Sequence, residues 1–258
     1  MSLVGGMRFF LRAEVWPTGV EEVILEGAEG HHAVSVMRVA VGDAVDVFDG
    51  EGRAGVGRVA ALEKKWVRVR IEAERFSPRP SGRLALAVAI PKKSTIEWII
   101  EKAVELGVSD VVPLLTRRTV VRLDTADRPD RQRKWERAAM EAAKQCRQDW
   151  LPKIHEPQPL ENAILSLPPS EFTLPLVACL QPDARPLADV VRQAGALPPT
   201  GAETGGAVWI GPEGDFTDEE VALLRESGLV PVSLGRLVLR VETAALYALS
   251  VLRFCTSG

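Results

Sequence analysis

The chain has 258 residues, 46% of them hydrophobic, and a formal net charge of −3 from 32 Lys and Arg against 35 Asp and Glu. That is enough apolar material for two modest cores. No apolar run reaches the roughly 20 residues of a membrane span, and the N-terminus lacks a signal-peptide core, so a cytoplasmic protein with no membrane partner is expected. Cys146, Cys179 and Cys255 lie far apart with no paired spacing, which argues against a disulfide framework and against a zinc site, and no metal is expected.

Residues 7–76 read as short β-segments punctuated by glycine, with one helix-like piece at 31–39, and predict a small barrel. Ala44–Phe48, 55–61 and 66–71 run apolar or alternate at strand length, and Gly42-Asp43 and Asp49-Gly50 supply turns. Gly50, Gly52 and Gly55 happen to fit the dinucleotide fingerprint G-x-G-x-x-G. The residues after them are strand by pattern, whereas the fingerprint has physical meaning only where a helix N-terminus receives the pyrophosphate. A hairpin with a glycine-rich tip is the better account.

Ser77-Pro78-Arg79-Pro80-Ser81-Gly82 neither continues a strand nor begins a helix, so it reads as a linker at 77–82 between domains at 7–76 and 83–258. In the second domain, 84–90 is an apolar run of buried-strand type. Ser94 with Glu97 caps a helix whose Ile96, Ile99, Ile100, Ala103 and Val104 form one face, Gly107 closes it, and 111–115 is the next strand. Strand, helix, strand in that order implies a parallel sheet and an α/β domain.

A long helix is expected over 131–148, with Trp135, Ala138, Ala139, Ala142 and Ala143 inward and basic residues elsewhere. Charge is segregated here: residues 117–153 carry 11 Lys and Arg against 6 acids, whereas 203–226 carry 7 acids against Arg225 alone. The basic stretch is either a nucleic-acid face or a merely solvated helix surface. A short helix at 161–165, a buried strand at 174–180, a helix at 187–193 and a loop at 197–206 come next.

The last fifty residues carry the densest information. A buried strand at 208–210 is broken by Gly211-Pro212-Glu213-Gly214, a tight-turn composition. Thr217 and Glu220 make a capping box for a helix faced by Val221, Leu223 and Leu224 and ended by Gly228. A strand at 230–234 is halted by Gly235, and after Leu237-Val238-Leu239-Arg240-Val241-Glu242-Thr243 comes a helix at 244–252 that is apolar on nearly every side. Such a helix is expected to be covered all round, by its own chain or by a second subunit.

The pieces IGPEG, LG and LRVETAAL at these spacings resemble the SPOUT superfamily of methyltransferases, and within it the RsmE family, which methylates N3 of a uridine in small-subunit (16S) ribosomal RNA. The resemblance implies an α/β domain with a C-terminal deep trefoil knot that binds S-adenosylmethionine, an exception to the usual absence of knots. It also implies a PUA-like RNA-binding domain at the N-terminus, carried by His32, Val36, Arg38, Gly42, Asp43, Asp49, Gly50 and Gly52, and a homodimer acting on the small ribosomal subunit in the cytoplasm.

Methyl transfer from a sulfonium asks the protein to hold donor and acceptor together and to manage the acceptor's proton. Glycine turns flanked by Leu and Ile suit an adenosine group held by backbone donors and acceptors, and such turns follow three strands, at Leu180-Gln181, Gly211 to Gly214 and Leu234-Gly235. By resemblance, Gly211, Glu213 and Gly214 border the methionine end, Leu234, Gly235, Val238 and Leu239 line the adenine and ribose, Arg240, Glu242 and Thr243 stand at the mouth of the knot, and Leu180, Gln181, Ile210 and Ser233 complete the cofactor site. Arg240 is the catalytic candidate, because a guanidinium beside a uracil carbonyl stabilises the anion left when N3–H is lost. The other role open to Arg240 is a salt bridge to Glu242 or Glu213. For a base the available carboxylates are Glu213, the second catalytic candidate, and Glu242, whose other role is to cap the last helix. RNA contacts are expected at Arg8, Arg12, Arg38, Arg117, Arg118 and Arg147, the last beside Gln145 and Cys146 in a segment similar to one near the family's substrate site.

The family pattern LGxRxLR is broken here, because Leu237 stands where the first arginine falls and Arg236 sits one residue early. Either Arg236 reaches the same place or that contact is dispensable. Two other readings remain at this point: a non-catalytic RNA-binding assembly factor of the same fold, and a related knotted enzyme methylating a ribose 2′-hydroxyl of transfer RNA.

Overall fold

The computed structural model describes residues 7–17, 19–80, 82–92, 95–194 and 205–256. The expected cap at Ser94 and most of the loop expected at 197–206 lie outside the described residues. The chain divides into two units, Met1–Arg79 with Ala143–Leu151, and Pro80–Ala142 with Pro152–Gly258.

In the first unit, β1 (Met7–Phe10), β2 (Glu22–Leu25), α1 (Gly27–His31, continued by a wider helical turn His32–Val36), β3 (Ala44–Phe48), β4 (Arg53–Glu63) and β5 (Trp66–Phe76) build a sheet in the order β1-β3-β4-β5-β2. Its core is Phe9, Trp16, Val45, Val47, Val67 and Val69 with their neighbours. β3 and β4 pair antiparallel, and the turn between them is the expected glycine-rich hairpin tip. Asp49 accepts from the N–H groups of Glu51 (2.7 Å) and Arg53 (3.0 Å) to shape it. Gly52 has φ +101°, and a Cβ there would lie 2.7 Å from the Trp150 ring and from the Ser77 carbonyl oxygen. The tip is glycine-rich because the segment Ala143–Leu151 packs directly on it.

That segment is held by ion pairs made far apart in sequence. Arg8 is buried, lies 4.2 Å over the Phe48 ring and places Nη2 2.5 Å from Asp149 Oδ1. Asp149 Oδ2 accepts from Arg75 (2.8 Å) and from the Ser77 hydroxyl (2.6 Å). Lys144 pairs with Glu29 (2.5 Å) and Arg147 with Asp46 (2.6 Å). Arg8 is therefore not the phosphate contact expected of it, since its guanidinium is committed to an internal carboxylate. Arg8→Ala leaves Asp149 partly buried with less cationic cover, and should cost about 3–5 kcal/mol of stability. Urea unfolding followed by tryptophan fluorescence measures it; a loss well under about 1 kcal/mol, the usual worth of an exposed pair, would mean the pair is not a structural anchor.

The second unit follows the strand-helix-strand pattern: β6 (Arg83–Ala89), α2 (Thr95–Glu105), β7 (Asp110–Leu115), α3 (Arg128–Cys146, its last residues belonging to the first unit), β8 (Lys153–Ile154), β9 (Gln158–Pro159) and α4 (Leu160–Ser166). It continues with β10 (Leu174–Ala178), β11 (Arg185–Pro186), α5 (Leu187–Ala194), β12 (Gly205–Ile210), α6 (Asp218–Glu226), β13 (Val230–Ser233) and α7 (Val241–Thr256). The sheet runs β11-β13-β10-β12-β6-β7-β8, with β9 also pairing β7, and every pairing is parallel.

α2 buries Ile96, Ile99, Ile100, Ala103 and Val104, the expected face, and Gly107 (φ +79°) ends it with its N–H on the Val104 carbonyl at 2.8 Å. α7 lies on β12 and β6, so close that a Cβ on Gly206 would fall 2.8 Å from Leu252. It buries Val241, Ala244, Ala245, Ala248, Leu249 and Leu252 but leaves Tyr247 47% and Phe254 84% exposed. Of the two ways expected to cover α7, its own chain supplies only one face, and the other is open to a second subunit. At the N-terminal edge of the sheet Asp110 is gripped by Arg83 (2.9 Å), Ser109 (2.9 Å) and His155 (3.4 Å). Burial alone would raise its pKa, but these partners hold its carboxyl well below the usual range.

Candidate active site

The order β13-β10-β12 puts three strand C-termini side by side, and the chain leaves each by a turn. In an open α/β sheet that edge is where ligands bind. Here it holds a solvent-open cleft. β10 and the turn after it supply Ala178, Cys179 and Leu180, β12 and its turn supply Ile210, Gly211, Pro212, Glu213 and Asp215, and β13 and its turn supply Ser233, Leu234 and Gly235. Leu237, Val238, Leu239, Val241 and Ala244 close it from the approach to α7.

The turn after β12 is specified locally. A Cβ on Gly211 would lie 3.0 Å from the Phe216 nitrogen and 3.1 Å from its ring, so any larger residue would crowd the chain where it folds back over itself. Asp215 N–H donates to the Pro212 carbonyl (2.9 Å), closing the turn. The predicted capping box is present: Thr217 Oγ1 accepts from Glu220 N (3.3 Å), and Glu220 Oε2 accepts from Thr217 N (2.9 Å). Glu220 is buried, and its Oε1 also accepts from the N–H of Arg117 (2.8 Å). Arg118 Nη1 donates to the Gly214 carbonyl (2.6 Å). At the turn after β13, Gly235 has φ +130°, a conformation open to glycine and strained for other residues.

Nine of the expected cofactor residues line the cleft: Leu180, Ile210, Gly211, Glu213, Ser233, Leu234, Gly235, Val238 and Leu239. Three do not. Gln181 turns its amide to Asp218 (2.8 Å), Gly214 offers its carbonyl to Arg118, and Thr243 is exposed on the first turn of α7. The spacing located the turns but not which side of each faces inward. Arg240 is exposed, stands between the lining residues Leu239 and Val241, and makes no side-chain ion pair among the described residues. The salt bridge considered for it is therefore absent. Glu213 instead accepts the N–H of Lys92 through Oε1 (2.9 Å).

Leu237 is 79% exposed and lines the cleft, whereas Arg236 is exposed and is not among the lining residues. Of the expected RNA contacts, Arg12 and Arg38 are exposed. Arg38 holds φ +53°. Arg117 is exposed with Glu219 at 3.6 Å, Arg118 braces the turn after β12, and Arg147 is paired with Asp46.

The reading of spacing missed Cys179 and Asp215. Burial pushes the Cys179 thiol up from its ordinary value, so it lines the cleft as a neutral thiol. Asp215 could have been noticed as an Asx residue in a turn just ahead of a capping box. Among the described residues the lining holds no Lys or Arg, and the carboxylate of Glu213 gives it a negative charge, so the cleft suits a cationic ligand. Its apolar walls, exposed turn backbone and negative charge fit the adenosine and sulfonium of S-adenosylmethionine.

The RNA methyltransferase domain family matches residues 77–253, and the RNA methyltransferase PUA domain matches residues 25–72. Ribosomal RNA small subunit methyltransferase E of Synechocystis sp. is 32% identical over 88% of this chain and 71% of its own length. That of Bacillus subtilis is 29% identical over 90% of each. Among solved structures, ribosomal RNA small subunit methyltransferase E from Neisseria gonorrhoeae bound to S-adenosyl methionine has a TM-score of 0.80 at 28% identity, with 96% of both chains covered. A Legionella pneumophila protein in complex with the same cofactor has a TM-score of 0.83 at 30% identity, covering 97% of this chain and 98% of its own. A parallel-sheet methyltransferase domain, a PUA-like domain and this depth of similarity together place the chain in the ribosomal RNA small subunit methyltransferase E family.

Proposed function

We propose that this protein is an S-adenosylmethionine-dependent methyltransferase of small-subunit ribosomal RNA that modifies N3 of a uridine. The observation that carries the reading is the single cleft at three adjacent parallel strand ends, lined by both Gly211 and Gly235, with Arg240 between two of its lining residues. When bound, S-adenosylmethionine supplies a methyl group on a sulfonium, activated for displacement.

The chain's own residues do the rest. Leu180, Ile210, Leu234, Val238 and Leu239 exclude water from the nucleoside, and the turns at Gly211 and Gly235 present backbone donors and acceptors to its polar edges. Arg240, whose side chain makes no ion pair among the described residues, can place a guanidinium on a uracil carbonyl and stabilise the charge that forms as N3–H is lost. Glu213 is tethered through Oε1, which leaves Oε2 to accept that proton. Arg12, Arg38 and Arg117 are exposed and suited to phosphates. Arg118 supports the cofactor turn, and Arg147 reaches RNA only by giving up Asp46.

The C-terminal segment running through Gly235 to α7 would form the knot around this cleft. The open face of α7, with Tyr247 and Phe254, is apolar surface suited to a second copy, as a homodimer in the cytoplasm would require. Titration of the protein with S-adenosylmethionine in a calorimeter tests the cofactor side. A saturable heat at micromolar ligand is expected; no heat at millimolar ligand would favour an assembly factor that keeps the fold without the chemistry.

A further inference from the structure

Asp215 is the described non-glycine residue of the cleft that sits in the left-handed region, at φ +62°. Backbone of this kind is strained for a residue with a Cβ and persists where surrounding contacts over-determine it. The contacts here are specific. Asp215 Oδ2 accepts the N–H of Leu180 at 2.8 Å, 35 residues away, and Oδ1 accepts the N–H of Phe216 at 2.8 Å. One carboxylate thereby ties the turn leaving β10 to the turn leaving β12. Both turns line the cleft, and Leu180, 65% exposed, has its N–H held by this bond. The loop after β10 is also tied at Gln181 to Asp218 (2.8 Å) and at Asp183 to Arg225 (2.6 Å), but those are exposed pairs that contribute little.

We infer that Asp215 is the positioning residue of the donor site, setting the separation of the Leu180 and Gly211 walls before any ligand arrives. Its role is geometric rather than a matter of charge. The inference rests on the proposed methyl-donor site and goes beyond it by assigning a residue that touches neither reacting atom. Glycine at 215 accepts the same φ without strain but removes both hydrogen bonds, so Asp215→Gly isolates the clamp from the backbone. Asparagine tolerates left-handed backbone and keeps one acceptor oxygen.

The test is calorimetric binding of S-adenosylmethionine and of the uncharged thioether S-adenosylhomocysteine to the full chain, with thermal unfolding of each variant alongside. Asp215→Gly should weaken both ligands by about tenfold, equivalent to ~1.4 kcal/mol, at temperatures where the variant remains folded. Asp215→Asn should restore about half of that loss on the free-energy scale. Unaltered affinity in Asp215→Gly would overturn the inference. So would a loss confined to the cationic ligand, which would make Asp215 a charge partner rather than a clamp. Wild-type protein that bound neither ligand would overturn the donor reading, and the clamp with it.

Discussion

Replacing Arg240 by Ala should lower methyl transfer by about 10²–10³-fold, the usual effect of removing one preorganised donor from a developing anion. Binding of S-adenosylmethionine should stay within about twofold of wild type, because Arg240 lies outside the cleft lining and, among the described residues, makes no ion pair that its loss would disrupt. Single-turnover rates at saturating cofactor, paired with calorimetry, separate the two effects. Arg240→Lys should recover little, since an ammonium does not reproduce a planar guanidinium against a carbonyl edge. Transfer at the wild-type rate in Arg240→Ala would remove this residue from the chemistry.

The second large effect is expected at Gly211. Even a single Cβ would approach the Phe216 nitrogen to 3.0 Å, its ring to 3.1 Å and Asp215 Oδ1 to 3.2 Å, and the two methyl groups of valine extend further. Phe216 is buried and cannot step aside without moving α6, whose capping box begins at the next residue. Gly211→Val should therefore displace the turn and weaken cofactor binding by at least about 100-fold, equivalent to ~2.7 kcal/mol. Overpacking of this kind costs about 1–3 kcal/mol of stability, so the variant should remain folded, with a lower unfolding temperature. Cofactor affinity equal to wild type would mean that the turn after β12 is not part of the site.

Which features were legible in the sequence depends on the range of the interactions that make them. The capping box of Thr217 and Glu220, the buried face of α2 and the end of that helix at Gly107 are local, and the residues involved lie within a few positions of one another. The glycine-rich hairpin was also legible as a hairpin. Why it is so rich in glycine was not, because the Trp150 ring that crowds Gly52 comes from the far side of the chain.

Arg8 illustrates the same limit more sharply. Its partner Asp149 lies 141 residues away, so nothing near Arg8 distinguishes a buried ion pair from a solvated arginine available to phosphate. The ends of the three cleft strands were recognisable from glycine and the apolar runs before it. Whether Gln181 and Gly214 face the cleft or the helix beside it depends on contacts with Asp218 and Arg118 that no periodicity encodes. The helix at 244–252 reads as apolar on nearly every side because Tyr247 counts as apolar wherever it points. Only packing against β12 and β6 divides that helix into a buried face and an open one.

The central claim concerns the base that receives the methyl group. Unmodified small ribosomal subunits and the RNA stripped from them would be incubated with this protein and isotopically labelled S-adenosylmethionine, and the nucleosides then resolved by mass spectrometry. The account predicts label in a single 3-methyluridine of the small-subunit RNA, dependent on Arg240. Label on a ribose 2′-hydroxyl, on another base, or in none of the RNA while the cofactor binds normally would contradict it.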